Sequence, residues 1–411
     1  MLYDSARHEP LDAAAWNAPA AHRAIERIVD DAERRFAPSS HWPLHPLDSD
    51  GAEGSGEPQF DLYGGAGGVV WALHYLDAVG AAPLRRSYAD YAAALPSLAR
   101  RAAAGDDNAN ARGDASFLAG ETGLTLLCHW LQPSMHTAAR LNALIAGNLD
   151  HPARELMYGS PGTMLAALFL HRRTGETRWA DLFVDTARTL WSQRLYSPEF
   201  GCRYWTQDFA GYRFSHLGGV HGFASNAAPL IAGRALLGVV ERDAWERCIV
   251  ETLERTARWD GDRANWPPEI YPTGGARAEK ALLQFCHGAP GVVVCVAGLP
   301  SSALDAELLA AGRTVWSAGP LAKGSNLCHG TGGNGYAFLK LYERTRDATW
   351  LDRARAFAMH GIAQTEAHAR RYGQMRYSLW TGDLGFAVYL WDCIRGAAAF
   401  PTLDTFFAPA A

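Results

Sequence analysis

Long stretches of the chain place apolar residues three or four positions apart, the spacing of one face of an α-helix. Examples are AAHRAIERIVDDAERRF from Ala20, RWADLFVDTARTLWSQRL from Arg178 and TWLDRARAFAMHGIAQ from Thr349. Alternation of apolar and polar residues, which is typical of a half-buried strand, is rare and short. The pattern therefore predicts an all-α protein.

A second kind of helix is predicted by a recurring glycine motif. Small residues spaced as Gly-x-x-Gly are followed at once by an apolar run, as in YGGAGGVVWALHYL from Tyr63. Seven such motifs occur between residues 60 and 395, and their leading glycines are 39 to 66 residues apart, enough for two helices each time. These glycines are Gly64, Gly120, Gly159, Gly222, Gly288, Gly330 and Gly382.

Seven repeats of an apolar helix and an amphipathic helix predict a closed ring of seven inner and seven outer helices. Glycines at the start of each inner helix let the backbone bend sharply and leave room where neighbouring helices crowd. The predicted fold is an α/α toroid, or double barrel. The chain exceeds the usual size of one hydrophobic core, but a closed ring shares one core. We therefore predict one domain, residues 1–411, in which residues 1–58 contribute outer helices.

Two stretches follow neither pattern. Residues 104–115 are polar and turn-forming, and residues 260–280 are rich in glycine, proline and charge. Both are predicted to be loops. The second precedes Cys286, where it either covers a substrate site or is a plain surface connection.

Composition and charge exclude several classes of protein. The chain is 48% hydrophobic and 20% charged, as soluble globular proteins are. The net charge is −5, and the sequence has no Lys/Arg cluster, so neither nucleic acid nor a membrane surface is an expected partner. No apolar run approaches the ~18 residues that cross a bilayer, and the N-terminus does not resemble a secretory signal. Seven cysteines, odd in number and sparse, indicate reduced thiols and a cytoplasmic location.

The tripeptide Cys-His-Gly occurs in two consecutive motifs, beginning at Cys286 and at Cys328. In a ring, equivalent positions of neighbouring repeats lie side by side. Cys286, Cys328 and His329 would then form the nitrogen and sulfur site that suits zinc, with one ion per chain. Three protein ligands leave a fourth position open, which is typical of a catalytic site. In the alternative, His287 is a fourth ligand and the site is structural.

Zinc held by two thiolates is suited to binding a third sulfur as a thiolate, which can attack an electron-poor carbon. If the acceptor is an α,β-unsaturated amide, the enolate formed must be protonated. His221, at a similar offset in the fourth repeat, is the candidate acid, and His216 is a weaker one. Glu155 in the third repeat is the candidate partner of His221, although an exposed carboxylate at a helix end is the alternative for it.

These motifs resemble those of the lanthionine synthetase C (LanC) family. The resemblance rests on FCHGAPGV, NLCHGTGGNGYAFL, ELMYGSPG and the HG at His221. Within the family, these motifs are most similar to those of the LanC-like proteins. It implies a toroid of seven inner and seven outer helices with zinc at its centre. It also implies Michael-type addition of a thiol to dehydroalanine or dehydrobutyrine. The thiol is a peptide cysteine in the lanthionine-forming cyclases and glutathione in LanC-like proteins.

The zinc ligands, the acid/base histidine and the acidic residue that the resemblance implies are those already named. Lys323, five residues before Cys328, matches a basic position of the glutathione site in LanC-like proteins. His287 stands where peptide cyclases often have tyrosine, and it is a second candidate for substrate binding. Ser225 replaces the second glycine of the fourth motif, a departure that concerns the helix start beside His221.

Three functions remain open at this point. The first is the addition of glutathione to dehydrated residues in proteins, and the second is the closure of thioether rings in a dedicated dehydrated peptide. The third is a zinc-binding scaffold without turnover, or another α/α-barrel enzyme such as a glycosidase. A glycosidase would need paired carboxylates, and none recur at the repeat ends. For the first two, we expect another protein to dehydrate the substrate.

Overall fold

The computed structural model describes residues 1–12, 14–48, 58–103, 115–209, 211–272 and 281–408. Within these ranges the chain forms fourteen α-helices, which alternate between an inner and an outer ring. The inner helices are α2 (Ala66–Ala78), α4 (Glu121–Leu131), α6 (Ser160–Thr174), α8 (Phe223–Ala232), α10 (Ala289–Val296), α12 (Thr331–Thr345) and α14 (Asp383–Arg395). The outer helices are α1 (Ala18–Arg35), α3 (Ala89–Ala103), α5 (Met135–Gly147), α7 (Thr177–Ser192), α9 (Val239–Thr256), α11 (Asp305–Ala318) and α13 (Ala348–Tyr372).

Each inner helix packs against the next inner helix along the chain, and α14 packs against α2, which closes the ring. The inner helices are buried on nearly all sides, and in α6 every residue from Ser160 to Leu170 is buried. The outer helices bury one face only, as α1 does with Ala21, Ala24, Ile25 and Ile28. The predicted α/α toroid is confirmed.

The turns that precede the inner helices are joined side by side by backbone hydrogen bonds. At least one bond links each pair of neighbouring turns, and the bond from the Trp380 N–H to the Tyr63 carbonyl at 3.0 Å completes the circuit. Equivalent positions of all seven repeats therefore meet at one end of the ring. The donors and acceptors in order are Tyr63 to Leu118, Leu118 to Met157, Leu156 to Val220, Gly219 to Phe285, Cys286 to Cys328, Cys328 to Trp380 and Trp380 to Tyr63.

Glycines allow these turns to lie against the helix starts. A Cβ atom at Gly291 would overlap the carbonyl oxygen of Phe285, six residues earlier. Ser225 occupies the equivalent position of the fourth repeat, yet α8 begins regularly, and the Ser225 hydroxyl donates to the Gly222 carbonyl at 2.7 Å. In this repeat the close approach falls on Gly219, where a Cβ would stand 2.7 Å from the Phe285 carbonyl oxygen. The serine therefore leaves the helix start beside the site intact.

The segment that follows α14 fills the middle of the ring. The Phe400 ring stacks on Phe285 with centroids 4.6 Å apart, and the Phe406 ring contacts Trp71 of α2 and Phe169 of α6. The Trp71 indole N–H also donates to the Phe406 carbonyl at 2.9 Å. Aromatic side chains thus fill much of the centre of the ring.

In the part of the chain that the structure describes, the strands form three short antiparallel hairpins. These are β1 (Leu195–Ser197) with β2 (Cys202–Tyr204), β3 (Gln207–Phe209) with β4 (Tyr212–Phe214), and β5 (Arg258–Asp260) with β6 (Arg263–Asn265). The third hairpin shows that the predicted loop over 260–280 is wrong for residues 260–265, because paired strands close a tight turn there. Residues 104–114 and 273–280 of the two predicted loops lie outside the described residues.

Two further expectations concern the N-terminal segment and membranes. Among the described residues of 1–58 there is one α-helix, α1, which packs on α14 and α13. In the described part of the chain, no helix combines the length and the apolar character that a membrane span requires.

Candidate metal centre and acid–base pair

Three predicted ligands meet where α10 and α12 begin. Cys286 and Cys328 each stand two residues before the glycine that caps an inner helix, and the Cys286 N–H donates to the Cys328 carbonyl at 3.1 Å. The two sulfur atoms and a ring nitrogen of His329 all lie within 4.8 Å of one another, close enough for one metal ion. These three candidate ligands are called the metal-binding group below. Among the described residues, no other group of three metal-ligating side chains lies this close together. The donor set matches the chemistry of a zinc site.

His329 is in its neutral form near neutral pH. Burial lowers its pKa to about 3, and the positive charges of Lys323, Arg376 and Arg7 act in the same direction. A neutral imidazole keeps a lone pair available, which is the form that binds a metal ion.

Each sulfur of the group also accepts a hydrogen bond from a side chain nearby. The Tyr63 hydroxyl donates to Cys328 Sγ at 2.9 Å, and the Gln284 amide nitrogen donates to Cys286 Sγ at 2.8 Å. The pKa of the Cys286 thiol is lowered, because Cys328 and Gln284 donate hydrogen bonds to its sulfur. Burial raises the pKa of Tyr63 well above its usual value, so its hydroxyl stays a donor.

The predicted acid and its partner are in direct contact. His221 Nδ1 lies 2.8 Å from Glu155 Oε2. Glu155 is fully buried, and its carboxylate accepts the backbone N–H groups of Met157, Tyr158 and Gly159 at 2.9, 2.6 and 3.3 Å. The alternative of an exposed helix-end carboxylate is therefore wrong. The turn before α6 therefore holds Glu155 against the histidine.

His221 has an altered pKa. Burial alone would lower it, but the Glu155 carboxylate raises it through both charge and hydrogen bond, and Cys286 adds to this, so the net pKa lies above the usual 6.5. The imidazole lies between Tyr158 and Phe209, with ring centroids at 6.0 and 5.8 Å. Because Nδ1 is engaged with Glu155, Nε2 is the atom through which His221 can exchange a proton.

Two further histidines stand beside this pair. The His216 ring lies 6.4 Å from His221 and 5.1 Å from His287. Burial lowers the pKa of His216 to about 4, and the charge of His221 contributes, so His216 is neutral where His221 is charged and is less suited to donate a proton. His287 lies outside the metal-binding group, so the group does not include the fourth protein ligand of the structural alternative.

Among the described residues, three cations lie near the metal-binding group, and the sequence predicted one of them. Lys323 is exposed in the turn before α12. Arg7 comes from the N-terminal 3₁₀ helix, and its guanidinium donates to Gln284 Oε1 at 2.7 Å. Arg376, in the turn before α14, donates through Nε to Asp48 at 2.6 Å. Arg7 lies far from any glycine motif, so no sequence signal placed it here, whereas Arg376 and Tyr63 precede motifs and could have been found by comparing repeats.

Comparison with known proteins decides the family. A family model described as lanthionine synthetase C-like protein matches residues 17–405. The chain belongs to the lanthionine synthetase C-like family. The predicted resemblance is therefore confirmed over most of the chain.

The individual proteins that the chain resembles share less than a third of its residues. The protein named glutathione S-transferase LANCL1 from Danio rerio is 26% identical over 318 residues, which are 70% of this chain and 74% of its own length. LanC-like protein GCL1 from Arabidopsis thaliana is 29% identical over 214 residues, 50% of this chain and 46% of its own length. The solved structure of nisin cyclase has a TM-score of 0.53 at 13% identity, covering 91% of this chain and 99% of that one. At that identity the nisin cyclase structure shows that the fold is shared.

Proposed function

We propose that this lanthionine synthetase C-like chain is an enzyme that adds the thiol of glutathione to dehydroalanine or dehydrobutyrine residues, forming thioethers. One observation carries the proposal. A Cys-Cys-His group and a carboxylate-bound histidine stand at the same end of the ring, and the charge of Cys286 acts on His221. Thiol addition to a dehydroamino acid needs both parts, one for the sulfur and one for the proton.

We propose that one zinc ion per chain is held by Cys286, Cys328 and His329. Two sulfurs and a neutral imidazole suit zinc better than the oxygen-preferring cations, and three protein ligands leave a position for the incoming thiol. When bound, zinc supplies the Lewis acidity that lowers the pKa of that thiol.

His221 and Glu155 supply the proton that the addition requires. A carbon–sulfur bond forms at the β-carbon of the dehydroamino acid, and the electrons of its double bond move toward the carbonyl as an enolate. His221 Nε2 then donates a proton to the α-carbon, while Glu155 holds the ring through Nδ1 and stabilises its charged form. The proton of the thiol leaves to solvent and His221 is reprotonated, so the net reaction adds one thiol across one double bond.

Glutathione is the favoured thiol because of the local charge. Lys323, Arg7 and Arg376 all contribute positive charge at His329, and glutathione carries two carboxylates. The distant relative named glutathione S-transferase LANCL1 supports the same choice. We propose that Lys323 binds glutathione and that His287, beside His216, contacts the dehydrated peptide or protein.

We also propose that the chain works in the cytoplasm. All seven cysteines are free thiols, and all are buried. Two of them serve as ligands in the proposed site, and a reducing compartment would keep them available.

The experiment measures metal content and thioether formation on the same samples. Wild-type protein should contain one zinc and give a glutathione adduct with a dehydroalanine peptide, detected by mass spectrometry. Cys328→Ala should lose both the metal and turnover, His221→Ala should keep the metal and lose turnover, and Cys393→Ala, a buried cysteine outside the site, should keep both. Wild type without zinc or without adduct would overturn the proposal. Ring closure of a cysteine-containing dehydrated peptide without glutathione would instead assign a cyclase, and zinc without turnover a scaffold.

A further inference from the structure

Two side chains that the proposed reaction does not use touch the two ligand sulfurs. Tyr63 donates to Cys328 Sγ and Gln284 donates to Cys286 Sγ, so each cysteine accepts one side-chain hydrogen bond from outside the group. Neither donor is a metal ligand. Each ligand sulfur thus has one donor of its own.

Tyr63 reaches its sulfur because of the repeat. It stands two residues before Gly65, the cap of α2, and thus at the position that Cys286 and Cys328 occupy before α10 and α12. Its ring stacks on Trp380, with centroids 5.8 Å apart and an interplanar angle of 27°, and its carbonyl accepts the Trp380 N–H. The ring of turns therefore fixes the hydroxyl over the metal-binding group.

Gln284 is oriented by the N-terminal segment. The Arg7 guanidinium donates to Oε1 at 2.7 Å, which leaves the amide NH₂ group directed at Cys286. Arg7 is itself tied to the turn before α12, because its carbonyl accepts the Ala322 N–H at 3.0 Å. The neighbouring His8 ring meets the Gly319 carbonyl at 2.9 Å. The first residues of the chain thus extend into the candidate metal centre.

Hydrogen bonds to ligand sulfurs have two consequences. They stabilise the negative charge of a buried thiolate that serves as a ligand. They also draw electron density from the sulfur, so a bound metal ion receives less of it and is a stronger Lewis acid. These hydrogen bonds matter most in a centre with two thiolates, because the negative charges of two sulfurs otherwise cancel most of the positive charge of the metal ion.

We propose that Tyr63 and Gln284 are positioning residues of the metal centre, and that each stabilises the negative charge on one ligand sulfur by donating a hydrogen bond to it. Arg7 holds the amide of Gln284 in the orientation in which it donates. The proposal rests on the proposed zinc-dependent function. It adds two sulfur donors and an N-terminal contact to that function.

The first test is zinc affinity at neutral pH, measured by competition with a chromophoric chelator. Tyr63→Phe removes only the hydroxyl, and Gln284→Leu removes only the amide. Each should weaken zinc binding by about tenfold, the range found when a partner of a metal ligand is lost. Gln284→Glu keeps a partner for Arg7 but turns an acceptor toward the sulfur, so it should weaken binding more than Gln284→Leu. Arg7→Met should weaken it less, by roughly threefold, because the amide is kept but its orientation is freed.

The second test is spectroscopic and needs no turnover. In protein loaded with Co²⁺, the sulfur-to-metal charge-transfer band should move to lower energy in Tyr63→Phe and Gln284→Leu, because the sulfur electrons are less stabilised. Tyr389→Phe is the matched control. It removes a buried hydroxyl that donates to the Ala354 carbonyl at 2.6 Å, so it loses a comparable hydrogen bond without touching either sulfur. Its zinc affinity and cobalt spectrum should equal those of wild type.

The outcomes separate the two levels of the argument. If wild type binds neither zinc nor cobalt, the proposed function fails and this inference falls with it. If wild type binds both metals but Tyr63→Phe and Gln284→Leu match Tyr389→Phe in affinity and spectrum, the donors are merely structural and only this inference is overturned.

Discussion

The two Cys-His-Gly segments are identical in sequence but differ in what their histidines contact. In the segment that begins at Cys328, both the cysteine and His329 belong to the metal-binding group. In the segment that begins at Cys286, only the cysteine belongs to it, and the His287 ring turns to the His216 ring 5.1 Å away. The same tripeptide therefore supplies two candidate ligands in one repeat and one in the other.

The difference begins two residues before each cysteine. The Asn326 side-chain oxygen accepts the His329 N–H at 3.0 Å, and the glycine that follows His329 has a φ of −127°. At the equivalent place the Gln284 side chain is engaged with sulfur, so the His287 N–H donates to the Gln284 backbone carbonyl at 3.1 Å. Gly288 then takes a φ of +106°, which only glycine adopts readily. The contacts of the residue two positions upstream therefore differ between the two segments, as the directions of the two histidines do.

The largest effect that follows from this comparison concerns the two histidines themselves. His329→Gln should weaken zinc binding by more than about 100-fold, beyond the loss expected for a partner of a ligand, because it removes a ligand from a three-residue group. His287→Gln should leave zinc binding within about threefold, since its ring lies outside that group. Chelator competition measures both. Equal losses would mean that the two segments are equivalent after all.

Much of this site could be predicted from the sequence because its parts are local and repeated. The seven glycine motifs give the ring, and the ring gives the approach of Cys286 to Cys328 across 42 residues, since hydrogen bonds join equivalent turns. The pairing of Glu155 with His221 follows in the same way from neighbouring repeats. That the whole chain works as a single domain stays a prediction.

The remainder depends on contacts that no periodicity encodes. Arg7 reaches Gln284 across 277 residues, and Phe406 fills the ring far from α2 in sequence. A tripeptide motif reveals neither the positive φ of Gly288 nor the contact of the Gln284 side chain with the Cys286 sulfur. From the sequence, residues 260–265 are predicted to be part of a loop, because a hairpin of two three-residue strands is too short to show alternation of apolar and polar residues.

A smaller effect tests the cause of the difference. Asn326→Ala removes the acceptor of the His329 N–H, so His329 should lose its fixed direction and zinc affinity should fall by roughly tenfold. Asn326→Asp keeps an acceptor at the same place and should stay within about threefold of wild type. Isothermal titration with zinc distinguishes the two variants. Identical behaviour of Ala and Asp would remove Asn326 as the reason for the divergence.

The smallest expected effect concerns His221 and Glu155, near the His216 ring that His287 contacts. Here a change in proton transfer should be separable from metal binding. The pKa of His221 is raised by Glu155, so the donated proton is present below that pKa and lost as pH rises through it. Glu155→Gln removes the carboxylate charge and should lower that pKa. The alkaline limb of the kcat/KM profile should then move to lower pH, and the rate above the limb should fall severalfold.

Zinc content should not change in Glu155→Gln, because Glu155 contacts His221 and the start of α6 rather than the metal-binding group. His329→Gln provides the opposite case, in which the metal is lost while the contact between His221 and Glu155 persists. If Glu155→Gln left the alkaline limb in place, or moved it upward, His221 would not be the group that titrates there. The division of the site into a metal side and a proton side would then fail, although the divergence of the two Cys-His-Gly segments would remain.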